Sequence, residues 1–280
     1  GTFNALITQY YQSPAFTSKA QATKRSYRSA IEQFRVEHGD KRVATVQTQH
    51  IDAILGAVAN RSTSQASNLR KRLMTLMACA VKWGFRPDNP MTTVDRIGHK
   101  AQGYHTMTED EIERFRARWP MSSPQRQAFE ILLYTGLRRS DAVRLTRKHV
   151  ANGYIAIKTS KSRFTVEVRI PIHHEFRLVL AALPDDADHL IATARGNPRS
   201  EKAFTAWFSE AGRAAGIISQ CSPHTMRKAA CRRLAEAGCT VWEIMAITGH
   251  SDVKEVERYC KEANKMRLAA SAMNKVTAAA

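Results

Sequence analysis

The first third of the chain carries apolar residues at helical spacing, interrupted by polar loops. Between Ser18 and His38 such residues recur three or four positions apart, and Gly39 is a suitable helix end. Residues 50–58 predict a shorter helix. Ser62 is placed to cap a long helix with an apolar stripe formed by Leu69, Leu73, Leu76, Met77 and Ala80.

Arg70, Lys71 and Arg72 lie on the polar face of this long helix, opposite the apolar stripe. Such a cluster has two interpretations, a solvated helix face or a set of contacts to phosphate groups. The spacing of these residues does not distinguish between the two interpretations.

A polar segment divides the chain into two predicted domains. Pro87 and Pro90 break the helical pattern, and the residues from Thr92 to Tyr104 show no periodicity. We therefore predict a helical domain over residues 1–91, a linker over 92–105 and a second domain over 106–280.

The second domain is predicted to be mainly helical with one small β-hairpin. Thr108 and Glu111 have the spacing of a capping box, so a helix is expected just after Thr106. Residues 153–158 and 164–170 alternate apolar and polar positions around a polar turn, and Pro171 ends the second run. The fold class is thus mainly α with a small β-hairpin, an α+β arrangement.

The net charge of the chain indicates the class of its binding partner. The chain has 43 Lys and Arg residues against 25 Asp and Glu, a net charge of +18. Residues 1–105 hold 15 of the basic and six of the acidic residues, so each half carries a surplus of nine. Two basic domains that bind one polyanion from opposite sides would show this distribution, and nucleic acid is the expected partner.

Other classes of protein are disfavoured by the composition. Five cysteines without a CxxC pair suggest neither a disulfide framework nor a zinc site. No apolar run approaches the ~20 residues of a membrane span, and no secretory signal is recognisable, so a cytoplasmic location is expected. No phosphate-binding GxxxxGK[ST] loop is present, and no cofactor is expected.

Two motifs place arginine and histidine at helix junctions. In Tyr134-Thr-Gly-Leu-Arg-Arg-Ser-Asp141, Gly136 ends one apolar helix, which leaves Arg138 at a sharp junction while Arg139 faces elsewhere. In Ser222-Pro-His-Thr-Met-Arg227, Ser222 is a suitable cap and His224 and Arg227 share a face of the first turn. A helix start favours anions, so these side chains suit a phosphate. Taken alone, the first motif is better explained by a surface arginine, and the second equally fits a capping turn with two solvated side chains.

A third motif, Ile247-Thr-Gly-His-Ser-Asp-Val-Lys-Glu-Val-Glu-Arg-Tyr259, has a helix end at Gly249 followed by His250. Ser251 or Asp252 caps the next helix, on which Val253, Val256 and Tyr259 follow at three-residue intervals. That spacing alone favours a core role for the tyrosine.

Taken together, these motifs resemble the tyrosine recombinase (phage integrase) family. The matching residues are Thr135-Gly-Leu-Arg138 with Asp141, His224-x-x-Arg227, Gly249-His250 and, nine positions later, Tyr259. The resemblance covers the second domain, and the first is similar to the family's core-binding domain in size and position. Asp141 stands where many members carry glutamate, a change expected to preserve the orientation of the site.

The resemblance implies the chemistry. Tyr259 would attack a DNA phosphodiester, Arg138, Arg227 and His250 would bind the phosphate, and His224 would assist deprotonation. A hairpin lysine would protonate the leaving 5′-oxygen. Lys161 fits this role better, with Lys158 as the alternative.

A homotetramer on two DNA sites, DNA-bending accessory proteins and integration or excision of a bacterial or phage mobile element are also implied. The alternatives are a type IB topoisomerase and a catalytically inactive DNA-binding factor. The tail after Tyr259, with Met266, Leu268 and Met273, is expected to dock either on its own domain or on a neighbouring protomer.

Overall fold

The computed structural model describes residues 1–98, 105–184 and 187–278. The chain divides into two compact units, Gly1–Gln102 and Gly103–Ala280. The division falls within the predicted linker, of which residues 99–104 lie outside the described residues. Val94 is buried in the core of the first unit, and its carbonyl accepts a hydrogen bond from Arg70 Nη2 at 2.7 Å. The first unit therefore continues beyond residue 91, where the predicted helical domain ended.

The described part of the first unit contains five α-helices. These are α1 (Phe3–Gln12), α2 (Pro14–Thr17), α3 (Gln21–His38), α4 (Thr48–Arg61) and α5 (Thr63–Lys82). Ser62 caps α5 as predicted, because its hydroxyl accepts a hydrogen bond from Gln65 N at 3.3 Å. Helix α3 begins three residues later than the predicted Ser18, since α2 and a turn precede it. Helix α4 is longer than predicted at both ends.

The basic face of α5 is largely used within the first unit. Arg70 donates to the carbonyls of Val94 and Asp95, and the Arg72 guanidinium lies 3.6 Å from the centroid of the Tyr27 ring. Lys71 is exposed. Of the three residues, it is therefore the one best placed to contact a phosphate.

The second unit combines helices with a small antiparallel sheet. Its helices are α6 (Glu109–Arg118), α7 (Pro124–Thr135), α8 (Arg139–Ala142), α9 (His174–Ala181), α10 (Glu201–Ala214), α11 (Pro223–Glu236), α12 (Val241–Thr248) and α13 (Val253–Ala278). Its strands, in the order β1-β2-β3, are β1 (Val150–Ala151), β2 (Tyr154–Lys158) and β3 (Glu167–Pro171). The predicted α+β class is confirmed, although β1 was not predicted.

Strands β2 and β3 form the predicted hairpin, although β3 covers Glu167–Pro171 rather than residues 164–170, because Phe164 has a φ of 65° and belongs to the turn. Ile155 lies opposite Ile170 and Lys158 opposite Glu167. The inward side chains, Ile155, Ile157, Val168 and Ile170, are buried in the main core, as their alternation with polar residues requires. The turn between the strands includes a single 3₁₀ turn, Ser160–Ser162, which carries Lys161.

Two apolar clusters support the second unit. The larger centres on α7, where Phe115 and Phe129 stack with their ring centroids 4.2 Å apart. The smaller joins α11, α12 and α13 through Cys231, Ala235, Ile244, Val256 and Cys260. This small cluster fixes the three helices that carry or flank His224, Arg227, His250 and Tyr259. Among the described residues, no helix is both long and apolar enough to cross a membrane.

Candidate active site

Arg138 lies where α7 turns into α8. Gly136 ends α7 in the left-handed conformation, with φ of 57°, which a residue with a Cβ rarely adopts. Arg138 is the N-cap residue of α8, and its Nη1 donates to the carbonyl of Gly249 at 3.1 Å. Arg139 points away and pairs with Glu201. The junction therefore brings Arg138 to the end of α12, next to His250.

Asp141 fixes the hairpin turn. Its side chain is fully buried, and Oδ1 accepts hydrogen bonds from Ser160 N at 2.8 Å and from Arg144 Nη1 at 3.2 Å. The hydroxyls of Ser140 and Ser160 are 2.7 Å apart. Asp141 thus attaches the turn that carries Lys161 to the helix that follows Arg138.

Arg227 is the buried centre of the site. Ser222 caps α11 and Pro223 occupies its first position, as predicted. Arg227 is the fifth residue of α11 and so begins the second turn, not the first as expected. Its Nη1 donates to the carbonyls of Gly136 and Thr248, each at 2.6 Å, and its Nε donates to His250 Nε2 at 3.3 Å. Burial and the charge of Arg138 lower its pKa to about 10, so it stays charged at neutral pH. Its Nη2 is buried without a hydrogen-bond partner among the described residues.

His250 follows Gly249, whose φ of 67° ends α12. Only 6% of the residue is exposed, and its Nδ1 lies 2.6 Å from Thr248 Oγ1. Burial, followed by the charges of Arg227, Arg138 and Lys161, lowers the pKa of His250 to about 3. The imidazole is therefore neutral at physiological pH. Lys161 is thus one of the main charges acting on His250, and Lys158 is not.

His224 lies on the first turn of α11 with its side chain partly in solvent. Partial desolvation and the charge of Arg227 lower its pKa below the usual 6.5. Its ring is thus predominantly neutral at pH 7 and able to accept a proton.

Tyr259 lies in the second turn of α13. Its ring is half-buried against the small cluster of α11, α12 and α13, so it does contribute to packing. Burial raises the pKa of its hydroxyl to about 12, with further contributions from Cys231 and Glu255, while Arg227 acts in the opposite direction. Within the described residues the hydroxyl makes no hydrogen bond. It is a neutral phenol that needs a base to become a nucleophile.

Two residues of this site were not singled out from the sequence. Thr248 contacts both Arg227 and His250, and Glu255 Oε1 lies 3.5 Å from His250 Nε2. A signal for Glu255 existed, because it lies one helical turn before Tyr259 and shares its face. No signal in the sequence indicated Thr248, since its contact with Arg227 joins residues 21 positions apart.

The arrangement suits nucleophilic substitution at a phosphate. Two guanidinium groups and an ammonium group are positioned to bind a doubly substituted phosphate, beside a phenol and a neutral imidazole. Among the described residues, no group of three or more His, Cys, Asp or Glu side chains is placed to hold a metal ion.

Comparisons with known proteins indicate the family of this chain. A model of the phage integrase family matches residues 105–266. The integrase of Escherichia phage HK022 is 22% identical over 212 residues, which cover 72% of this chain and 59% of that protein. The tyrosine recombinase XerD of Ralstonia nicotianae is 25% identical over 231 residues, covering 76% and 75% of the two chains. A lambda integrase tetramer bound to a Holliday junction matches with a TM-score of 0.81 at 21% identity, over 91% of this chain and 79% of that one.

The chain spans only 59% of the length of the HK022 integrase, and the likeness to lambda integrase at 21% identity shows a common fold. The match to the family model is the evidence that assigns the family. It covers more than half of the residues and contains the whole site from Arg138 to Tyr259. The chain therefore belongs to the phage integrase family.

Proposed function

We propose that this protein is a tyrosine-type site-specific DNA recombinase that cuts and rejoins DNA through a 3′-phosphotyrosyl intermediate. The supporting observation is Arg227, a buried charged side chain whose Nη2 has no partner among the described residues, beside Arg138, His250 and a neutral tyrosine. A buried guanidinium donor without a partner is costly in the free protein and gains a strong hydrogen bond when it meets a phosphate oxygen.

In the first step, Tyr259 Oη attacks the scissile phosphorus while His224 accepts the phenolic proton. The bond from phosphorus to the 5′-oxygen breaks, and Lys161 donates a proton to that oxygen. Arg138 and Arg227 bind the nonbridging oxygens, on which charge develops. Lys161 is preferred to Lys158 because its turn is fixed beside Arg138 through Ser160 and Asp141.

In the second step, the 5′-hydroxyl of another duplex attacks the phosphotyrosine and restores both the phosphodiester and the phenol. The covalent bond conserves the phosphodiester energy, so the reaction requires no nucleotide cofactor. We propose double-stranded DNA as substrate, a homotetramer as the active assembly and DNA-bending accessory proteins as further partners. The first unit would act as the core-binding domain and residues 106–280 as the catalytic domain, in a mobile element of bacteria or phages.

The deciding experiment captures the covalent intermediate. The protein is incubated with a nicked duplex library of random sequence, and DNA that stays attached to protein on a denaturing gel is recovered and sequenced. We expect an adduct with the parent protein and with Tyr154→Phe, an exposed tyrosine on β2, and none with Tyr259→Phe. Absence of an adduct from the parent protein would leave the inactive DNA-binding factor as the better description. An adduct that reseals only its own strand, without joining a second duplex, would favour a type IB topoisomerase.

A further inference from the structure

Thr248, the last residue of α12, connects two buried polar side chains of the site, Arg227 and His250. It is itself fully buried. Its carbonyl accepts a hydrogen bond from Arg227 Nη1 at 2.6 Å, and its Oγ1 lies 2.6 Å from His250 Nδ1. The same hydroxyl donates to the carbonyl of Ile244 at 2.7 Å. One threonine therefore contacts both His250 and Arg227 directly.

These contacts determine which ring nitrogen of His250 carries the proton. Because the Thr248 hydroxyl proton is used by Ile244, Oγ1 accepts from His250, and Nδ1 must carry hydrogen. On the other side of the ring, Arg227 Nε donates to Nε2, which must be an acceptor. A neutral imidazole with hydrogen on Nδ1 satisfies both contacts. The opposite tautomer would lose both and would gain only the exposed carboxylate of Glu255, whose Oε1 lies 3.5 Å from Nε2.

We infer that Thr248 is a positioning residue, whose hydroxyl holds His250 as the Nδ1–H tautomer so that Nε2 can orient the guanidinium of Arg227. In the free protein His250 thus accepts a hydrogen bond from Arg227, which differs from the phosphate-donor role implied by the family resemblance. The effect on the reaction rate rests on the proposed function, but the tautomer does not.

The shape of the site allows the hydroxyl to be removed alone. A Cβ at position 136 would lie 2.8 Å from Thr248 Cγ2, so the end of α7 packs tightly on this side chain. Valine keeps both branches of threonine and therefore this contact, whereas serine keeps the hydroxyl. A matched control exists at the end of α7, where Thr135 is fully buried, donates to the carbonyl of Ile131 at 2.5 Å and also precedes a left-handed glycine.

The tautomer is measured by nitrogen NMR of protein labelled at its histidine rings, with the His250 signals assigned by loss in His250→Asn. We expect a protonated Nδ1 and an unprotonated Nε2 in the parent protein, in Thr248→Ser and in Thr135→Val. In Thr248→Val the two signals should approach each other or exchange. Thr248→Ala is the second hydroxyl-free variant should valine prevent folding. Unchanged His250 signals in a folded hydroxyl-free variant would overturn the inference, as would an Nε2–H tautomer in the parent protein.

A second measurement follows covalent adduct formation. Loss of one buried hydrogen bond corresponds to a decrease of about tenfold in rate for Thr248→Val, with substantial recovery in Thr248→Ser. If the tautomer changes and the rate does not, the positioning role is wrong. If the parent protein forms no adduct while the tautomer changes as expected, the proposed function fails and the Thr248–His250 contact stands.

Discussion

At the scale of single residues, the site holds its base and its nucleophile neutral for different reasons. Partial desolvation and Arg227 lower the pKa of His224, while burial raises the pKa of Tyr259 to about 12. At pH 7 the Tyr259 phenol is therefore protonated, and the His224 imidazole is neutral and can accept a proton. Glu255 acts on both groups, since its carboxylate raises the pKa of each.

The pH dependence of adduct formation should report His224. Because its pKa is below 6.5, the rate should fall only as the pH drops below that value, where the base becomes protonated. We call this decrease at low pH the acid limb of the rate profile. His224→Gln should remove it and lower the rate by about 10²–10⁴-fold, as expected for loss of a general base. Single-turnover rates between pH 4.5 and 8 would test this.

Glu255 provides a check on the assignment of the acid limb. Glu255→Gln removes a charge that raises the pKa of His224, so the midpoint of the acid limb should move to lower pH. Glu257→Gln is the matched control, because it removes the same charge two residues further along α13, and Glu255, not Glu257, is among the main causes of the pKa shift of His224. An equal shift of the midpoint in both variants would mean that the acid limb depends on the net charge of the protein rather than on His224.

At the scale of elements, the hairpin turn is the part most directly tied to one chemical step. The turn is fixed through Ser160 and Asp141, and it places Lys161 close enough to lower the pKa of His250. Strand β2 ends at Lys158, whose carbonyl accepts from Arg144. The two lysines are three residues apart but belong to different local structures.

Lys161→Ala should reduce cleavage of an ordinary phosphodiester by about 100-fold or more, whereas Lys158→Ala should have a much smaller effect. A substrate with sulfur in place of the 5′-bridging oxygen separates chemistry from folding, because a thiolate is a better leaving group than an alkoxide and needs no proton. Restored cleavage of this substrate by Lys161→Ala is the expected result. Restoration in Lys158→Ala instead would exchange the roles of the two lysines.

The sequence predicts those elements that are determined by residues close together in the chain. The caps at Ser62, Thr108 and Ser222 were predicted because a capping residue bonds a backbone group only three positions away. The β2–β3 hairpin was predicted because its alternation is local. The two-residue strand β1 is too short to show a pattern. The contacts of Thr248 with Arg227 and of Asp141 with Ser160 join residues 21 and 19 positions apart in the chain.

At the scale of the whole molecule, the surplus of 18 positive charges overstates what is free to bind DNA. Arg116 and Arg126 both pair with the buried carboxylate of Glu130. Arg70 and Arg72 are likewise engaged within the first unit, by backbone carbonyls and by Tyr27 respectively. Net charge predicted a polyanionic partner, but it could not distinguish these structural arginines from exposed cations such as Lys71.

Salt dependence of DNA binding can make that distinction on α5. Each phosphate contact contributes about −0.9 to the slope of log K against log salt concentration. Lys71→Gln and Arg72→Gln remove the same charge from adjacent positions, so any general effect of net charge is matched. We expect Lys71→Gln to make the slope shallower by about one, and Arg72→Gln to leave the slope nearly unchanged while lowering the melting temperature through loss of the contact with Tyr27. Equal slopes for Lys71→Gln and the parent protein would show that this face of α5 is solvated, and a shallower slope for Arg72→Gln would show that its guanidinium leaves Tyr27 to meet a phosphate.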